Sequence, residues 1–329
     1  MAPAAKKRKR SPNFSNYLED NRENLKSCGV RLISHVMEEY KKEQNMFKAH
    51  VNEILHSIFF LGVIYSDGLT PDKFLSAEVA ESLRQEFPEP FDRFNSHLPK
   101  RTPFSILLDM MVRKYETEDN VMKELRDLLK RLKFPHPYNK PGNKTQHIYT
   151  LESTVICVCF NSECPSKKYF GASLGCKRDA KNIMIFSSCI NTWHMYVSFA
   201  VMSFTQTQEN GLHFPEHVKC QAHLRNWQDN TYMEIPPCKN CQNIFNLPGE
   251  DTNKKHYPYG NCAETECLSK LLFQDNSIRE NTTITNYTQD NMTQLKEQTE
   301  NDLRNKLSSI PSISSMTNSN DLPVFNLNW

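Results

Sequence analysis

"STVICVCFNSECPSKKYFGASLGC", Ser153 to Cys176, is where the character of the chain changes. "STVICVCFN" alternates β-branched and other apolar side chains, as a half-buried strand does. "KKYFGASLGC" follows as a strand partner, and the turn chemistry of Asn161 to Lys167 suits a hairpin between the two. Upstream the pattern is helical. From about Asn24 to Tyr65, Leu32, Ile33, Val36, Met37, Tyr40, Met46, Phe47, Val51, Ile54, Leu55, Ile58 and Phe59 recur at helical spacing, which predicts one or two long amphipathic helices. A further helix is expected through Val79 and Leu83, and two more within Thr102 to Phe134, the second marked by Val121, Leu125, Leu128 and Leu129. The fold class is therefore α+β: an all-helical N-terminal module followed by a small mixed α/β domain.

Between the halves, "FPHPYNKPGNKTQ", Phe134 to Gln146, holds three prolines and one glycine, a density that neither a helix nor a central strand tolerates. The expected organisation is a basic tail over 1–16, a helical module over 17–134, a linker over 135–146, a mixed domain over 147–275 and a tail over 276–329. Ala180 to Phe204 is apolar enough for a buried helix, with continuation into a strand as the alternative because Val, Ile and aromatics mix with helical spacing; Trp193, His194 and Tyr196 read as core rather than as a base-stacking platform. Cys262 to Phe273 reads as a helix packed through Leu268, Leu271 and Leu272. From Ser277 the chain becomes rich in Asn, Thr, Gln and Ser, which predicts disorder, with "LPVFNLNW" as a short apolar docking motif at its end.

Composition narrows the function classes only in part. The 329 residues carry 40 Lys and Arg against 38 Asp and Glu, a net charge of +2, so attraction to nucleic acid would have to come from a local patch. Apolar runs are short or interrupted, which predicts a soluble chain and no membrane partner. The N-terminal "MAPAAKKRKRSP" has no apolar signal segment, so the 11 cysteines are expected to be thiols or thiolate ligands. "KKRKRSP", Lys6 to Pro12, is the kind of basic run that nuclear import receptors read, with a solvated disordered tail as the alternative; nuclear localisation is the expectation, otherwise cytoplasmic. The helical module is a candidate surface for a protein partner. There is no GxGxxG, Walker loop, GxSxG or HExxH.

The densest chemistry lies in "PPCKNCQNIFNLPGEDTNKKHYPYGNCAETECLSKLL", Pro236 to Leu272. Cys238-x2-Cys241 brings two sulfurs onto one ion at the about 2.3 Å of a zinc–thiolate bond. Cys262 stands at the expected start of a helix, where the helix dipole favours a thiolate. Cys238, Cys241 and Cys262 are the candidate Zn2+ ligands. A fourth would come from Cys267, His256, Cys220 or His223; within one helix Cys262 and Cys267 would face about 140° apart, so Cys267 suits poorly. Cys157 and Cys159 share one face of the first strand and, with Cys164 and Cys176, form either a second thiolate set or small buried hydrophobes. Glu264 admits two readings. Asn261 as N-cap with Glu264 at the third helical position makes a capping box.

The other reading comes from a resemblance. "PCKNC" at Pro237 to Cys241 and "CAE" at Cys262 to Glu264 resemble the two signature elements of the zinc-dependent cytidine and nucleobase deaminases. The resemblance spans Ser153 to Phe273, with the hairpin similar to the strand pair that opens such a domain. It implies Zn2+ on Cys238, Cys241 and Cys262, Glu264 as catalytic acid and base, and a nucleoside or single-stranded nucleic acid as substrate. The order of the two elements is reversed here, which implies a permuted arrangement. A non-catalytic interaction module with a structural zinc knuckle is the alternative from a different class.

Overall fold

The computed structural model describes residues 14–65, 68–135, 147–148, 151–176, 178–206, 211–226, 229, 231–249, 257–319 and 321–326. Among these, two long helices, α1 (Phe14–Lys42) and α2 (Gln44–Tyr65), pair antiparallel and are followed by α3 (Ala77–Glu86), α4 (Pro103–Tyr115) and α5 (Glu118–Leu132). Ser76, Thr102 and Thr117 cap the last three by accepting from the backbone amide three residues on, which satisfies donors that an uncapped helix start leaves open. Most residues read as the buried stripe are buried, from Leu32 and Val36 on α1 to Val121, Leu125, Leu128 and Leu129 on α5; Met37 and Met46 are half-buried, and Val79 is exposed.

The expected hairpin forms as β1 (Val155–Asn161) and β2 (Lys168–Ala172). Two strands that the expectation lacked, β3 (Val218–Arg225) and β4 (Tyr232–Ile235), complete an antiparallel sheet in the order β2-β1-β3-β4. Ala180 to Phe204 is two helices, α6 (Arg178–Asn191) and α7 (Met195–Gln206), because the chain turns at Thr192 to His194, where the His194 amide donates to Ser269 Oγ at 2.7 Å. Two helices carry the cysteine-rich region: α8 (Lys239–Phe245) and α9 (Ala263–Gln274), the latter packed across β2 and β1. Helices and antiparallel sheet together make the fold α+β.

The halves share one core. Buried residues from Leu25 and Phe47 through Leu107 to Ile156, Cys267 and Leu272 form a continuous apolar cluster. Polar contacts cross the same junction: Ser105 donates to Glu266, and Lys270 Nζ bonds Asp109 at 2.6 Å and the Phe170 carbonyl at 2.8 Å. Of the expected linker, Pro135 pairs through β-type contacts with His147, and 136–146 lies outside the described residues.

The expectation of disorder after residue 276 is corrected. Asn276–Asn281 and α10 (Gln289–Ser308) are helical, with Asp275 and Thr288 as side-chain caps. Leu303 and Leu307, one turn apart on α10, join Ile313 and Met316 in a second cluster against Phe60, Val63, Leu98 and Ile183. Two leucines on one stripe of α10 and two apolar residues in the turns after it are enough when a partner surface exists, which composition does not reveal. The described part of "LPVFNLNW", Leu322 to Asn326, does dock, but on its own chain: the Leu98 amide donates to the Pro323 carbonyl at 2.7 Å, and Phe325 stacks on His56 with ring centroids 3.9 Å apart. No helix among the described residues is long and apolar enough to cross a membrane. Lys6 to Pro12 and His256 lie outside the described residues.

Candidate metal centre

Two helix starts meet at one point. Pro236 and Pro237 bring the chain from β4 in extended form to Cys238, which is the N-cap of α8; Gln242 Nε2 donates back to the Pro237 carbonyl at 2.8 Å and fixes that approach. Cys241 follows in the first turn, buried, with its sulfur 3.7 Å from Cys238 Sγ. Cys262 is the N-cap of α9, and its sulfur lies 3.3 Å from Cys238 Sγ. The turn that delivers it uses Gly260 at φ +83°, where an added Cβ would press on Val201, Ile185 and Trp193 at 3.0–3.1 Å. The Asn261 carbonyl then accepts from the Leu174 amide at 3.1 Å, tying the turn to the end of the hairpin.

The three sulfurs therefore converge from residues spread over 24 positions of the chain, all within 4.8 Å of one another. Their chemistry fits zinc. A tetrahedral ion with 2.3 Å bonds holds its sulfurs about 3.8 Å apart, within a small expansion of the distances found. Thiolates are also the soft donors that such an ion takes, and both helix N-termini direct their positive ends at them. The triad is thus arranged so that it can hold a metal ion.

Glu264 is the second residue of α9, because the helix begins one residue later than expected: Cys262, not Asn261, is the N-cap. The capping box is accordingly corrected. Glu264 is instead buried, and its carboxyl meets the Cys241 thiol. Burial pushes its pKa up to about 8, and the negative charges of Cys220 and Cys238 add to this. Cys238 is drawn down to about 3 by thiol donors, Cys241 first and Cys262 next, while those two are pushed up by the same contact. A divalent cation beside them would favour three thiolates.

The remaining cysteines separate. Cys267 faces the sheet from α9, donating to the carbonyls of Tyr169 at 3.0 Å and Cys157 at 3.4 Å, away from Cys238 and Cys241 as the helical angle predicts. Cys164 is exposed on the hairpin turn and Cys176 is buried elsewhere, so neither joins Cys157 and Cys159. Cys220 does, from β3. Its spacing with His223 does not make a ligand pair, since residues three apart on a strand point to opposite faces. Sequence reasoning missed β3, although the signal is present: Val218, Cys220, Ala222 and Leu224 alternate strictly with polar residues.

The position of α9 is held by charge as well as packing. Glu266 accepts from the Ala172 amide at 3.0 Å, from Lys270 at 2.8 Å and from Ser105. Beside the sheet, a pocket of about 810 Å³ is lined by Phe214, Cys220, Glu234, Pro236, Pro237 and Phe245 among others, but by none of Cys238, Cys241, Cys262 and Glu264. Against known proteins, no family model, no curated protein and no solved structure matches this chain.

Proposed function

We propose that the chain is a zinc-dependent hydrolytic deaminase acting on a cytosine- or adenine-type base in a nucleoside or single-stranded nucleic acid. The observation that supports it is the convergence of Cys238, Cys241 and Cys262 around buried Glu264 despite the reversed order of the two motifs. The three cysteines would hold Zn2+. When bound, zinc supplies Lewis acidity that brings the pKa of a water molecule to about 7. Glu264 takes the proton that water loses as its oxygen bonds to the ring carbon. It passes that proton to the ring nitrogen and then moves the remaining hydroxyl proton to the exocyclic nitrogen as the C–N bond breaks, so that ammonia leaves and a ring carbonyl remains. Lys6 to Pro12 would carry such a protein to the nucleus.

The pocket favours a second reading. Because its lining omits Glu264 and the triad, a structural zinc knuckle inside a protein-interaction module is the alternative. Glu264→Ala separates them. Under both readings the purified variant retains its zinc; under the deaminase reading it loses ammonia release that the wild type shows with a panel of nucleosides and single-stranded DNA and RNA. Zinc in the wild type with no turnover of any panel member refutes the deaminase and leaves the knuckle.

A further inference from the structure

The sheet carries a second sulfur cluster. Cys157 and Cys159 are two apart on β1 and share a face; Cys220 stands directly opposite Cys159 in the antiparallel register of β3. Three Cβ atoms thus project on the same side, under α9. The sulfurs are in mutual contact: Cys159 to Cys220 at 3.1 Å, Cys157 to Cys220 at 3.3 Å and Cys157 to Cys159 at 3.7 Å. These spacings match those of the Cys238 triad, and a small expansion reaches the about 3.8 Å of sulfurs on one tetrahedral zinc. Cys157 and Cys159 are fully buried. Buried cysteines are ordinarily small apolar groups. Such groups have no reason to turn three sulfurs onto each other from two strands, since thiols are weak mutual donors.

We propose that Cys157, Cys159 and Cys220 form a second, closed thiolate site for a soft divalent cation, Zn2+ in the first instance, with Cys267 as the adjoining fourth sulfur. Cys267 lies on α9 above the same face, buried, outside the set of three sulfurs that lie within 4.8 Å of one another, with its Sγ 3.0 Å from the Tyr169 carbonyl and 3.4 Å from that of Cys157; it would turn from these carbonyls to complete the shell. A closed four-sulfur shell is the structural type of zinc site. It would fasten the two central strands to the helix that carries Cys262 and Glu264. The site is independent of the Cys238 triad, so the two claims fail separately.

The test is metal stoichiometry on the full chain loaded with zinc and, in parallel, with Co2+. The wild type is expected to hold two equivalents, one with the visible absorption of cobalt in an all-sulfur tetrahedral field. Cys159→Ser with Cys220→Ser should lose one equivalent together with that absorption; Cys238→Ser with Cys241→Ser should lose the other. A wild type with one equivalent, lost in the Cys238 and Cys241 variant and kept in the Cys159 and Cys220 variant, overturns the second site alone. The reverse pattern overturns the first and supports the second. Wild-type stoichiometry decides the matter even where a variant does not fold: two equivalents with sulfur-only coordination at one site uphold the proposal, and a single equivalent bound at the Cys238 triad sinks it.

Discussion

At Gly171 on β2 a single added methyl group would press on the helix that carries part of the candidate metal centre. A Cβ built there would lie 2.4 Å from the Ala263 carbonyl oxygen and 2.5 Å from the Cys267 amide nitrogen, both in the backbone of α9. Real Cβ contacts essentially never fall under 3.0 Å, so in Gly171→Ala the helix must withdraw by at least the missing 0.6 Å. Side chains cannot absorb this, because the obstacle is main chain. The overpacking costs about 1–3 kcal/mol, and the gain from replacing a strand glycine offsets about 0.5–1 kcal/mol of it. Stability should therefore fall by about 0–2.5 kcal/mol. The effect on the metal should be larger, since a binding constellation needs its groups held within about 0.5 Å, and α9 carries Cys262, Glu264 and Cys267 together. Zinc affinity, measured by competition with a chromophoric chelator, is expected to weaken by about 10- to 100-fold, the usual effect of disturbing what holds the ligands. Gly29→Ala is the control. Its Cβ would meet the Phe74 ring at 2.3 Å in the helical half, so it should lower the unfolding midpoint while folded molecules bind zinc as before. Wild-type zinc affinity in Gly171→Ala, or equal weakening in both variants, would refute the reasoning.

Two further outcomes test the fold. Leu303→Ala removes a fully buried side chain from the cluster with Phe60, Val63 and Ile183, and chemical unfolding should show a loss of about 2–5 kcal/mol; a change under 0.5 kcal/mol would mean that α10 is not part of the core. His56 is fully buried, and burial pulls its pKa down to about 3 from 6.5. The unfolded chain therefore binds the proton first as pH falls below about 6.5, and stability declines from there toward about 3. By pH 5 the loss from this one group is about 2 kcal/mol. His56→Gln should flatten the pH dependence of the urea midpoint between pH 7 and 5 by about that amount, and an unchanged slope would contradict it.

What could be read from the residues and what could not follows from how local each signal is. The stripe on α5, Val121 with Leu125, Leu128 and Leu129, repeats within one helix and declares itself, as does the alternation of "STVICVCFN". Cys238 and Cys241 are one turn apart, so their proximity is local; adding Cys262 required the motif pair. Cys220 comes to Cys159 only through strand pairing across some sixty residues, a contact that no spacing encodes. The cap of α9 was misplaced by one residue, and that residue decides whether Glu264 turns back to its own helix start or inward to Cys241. The 276–329 segment misled because its burial rests on a few contacts such as Leu303 to Phe60, supplied by distant partners.

The bridge from Leu98 to Val324 joins positions 226 residues apart. During synthesis at about 5–20 residues per second, Phe60, Val63 and Leu98 would emerge on the order of ten seconds or more before the segment that covers them. For that interval the nascent helices display an uncovered apolar strip, which is what general chaperones bind. Cells short of such chaperones should therefore accumulate this protein as aggregate more readily than a chain whose neighbours in space are neighbours in order.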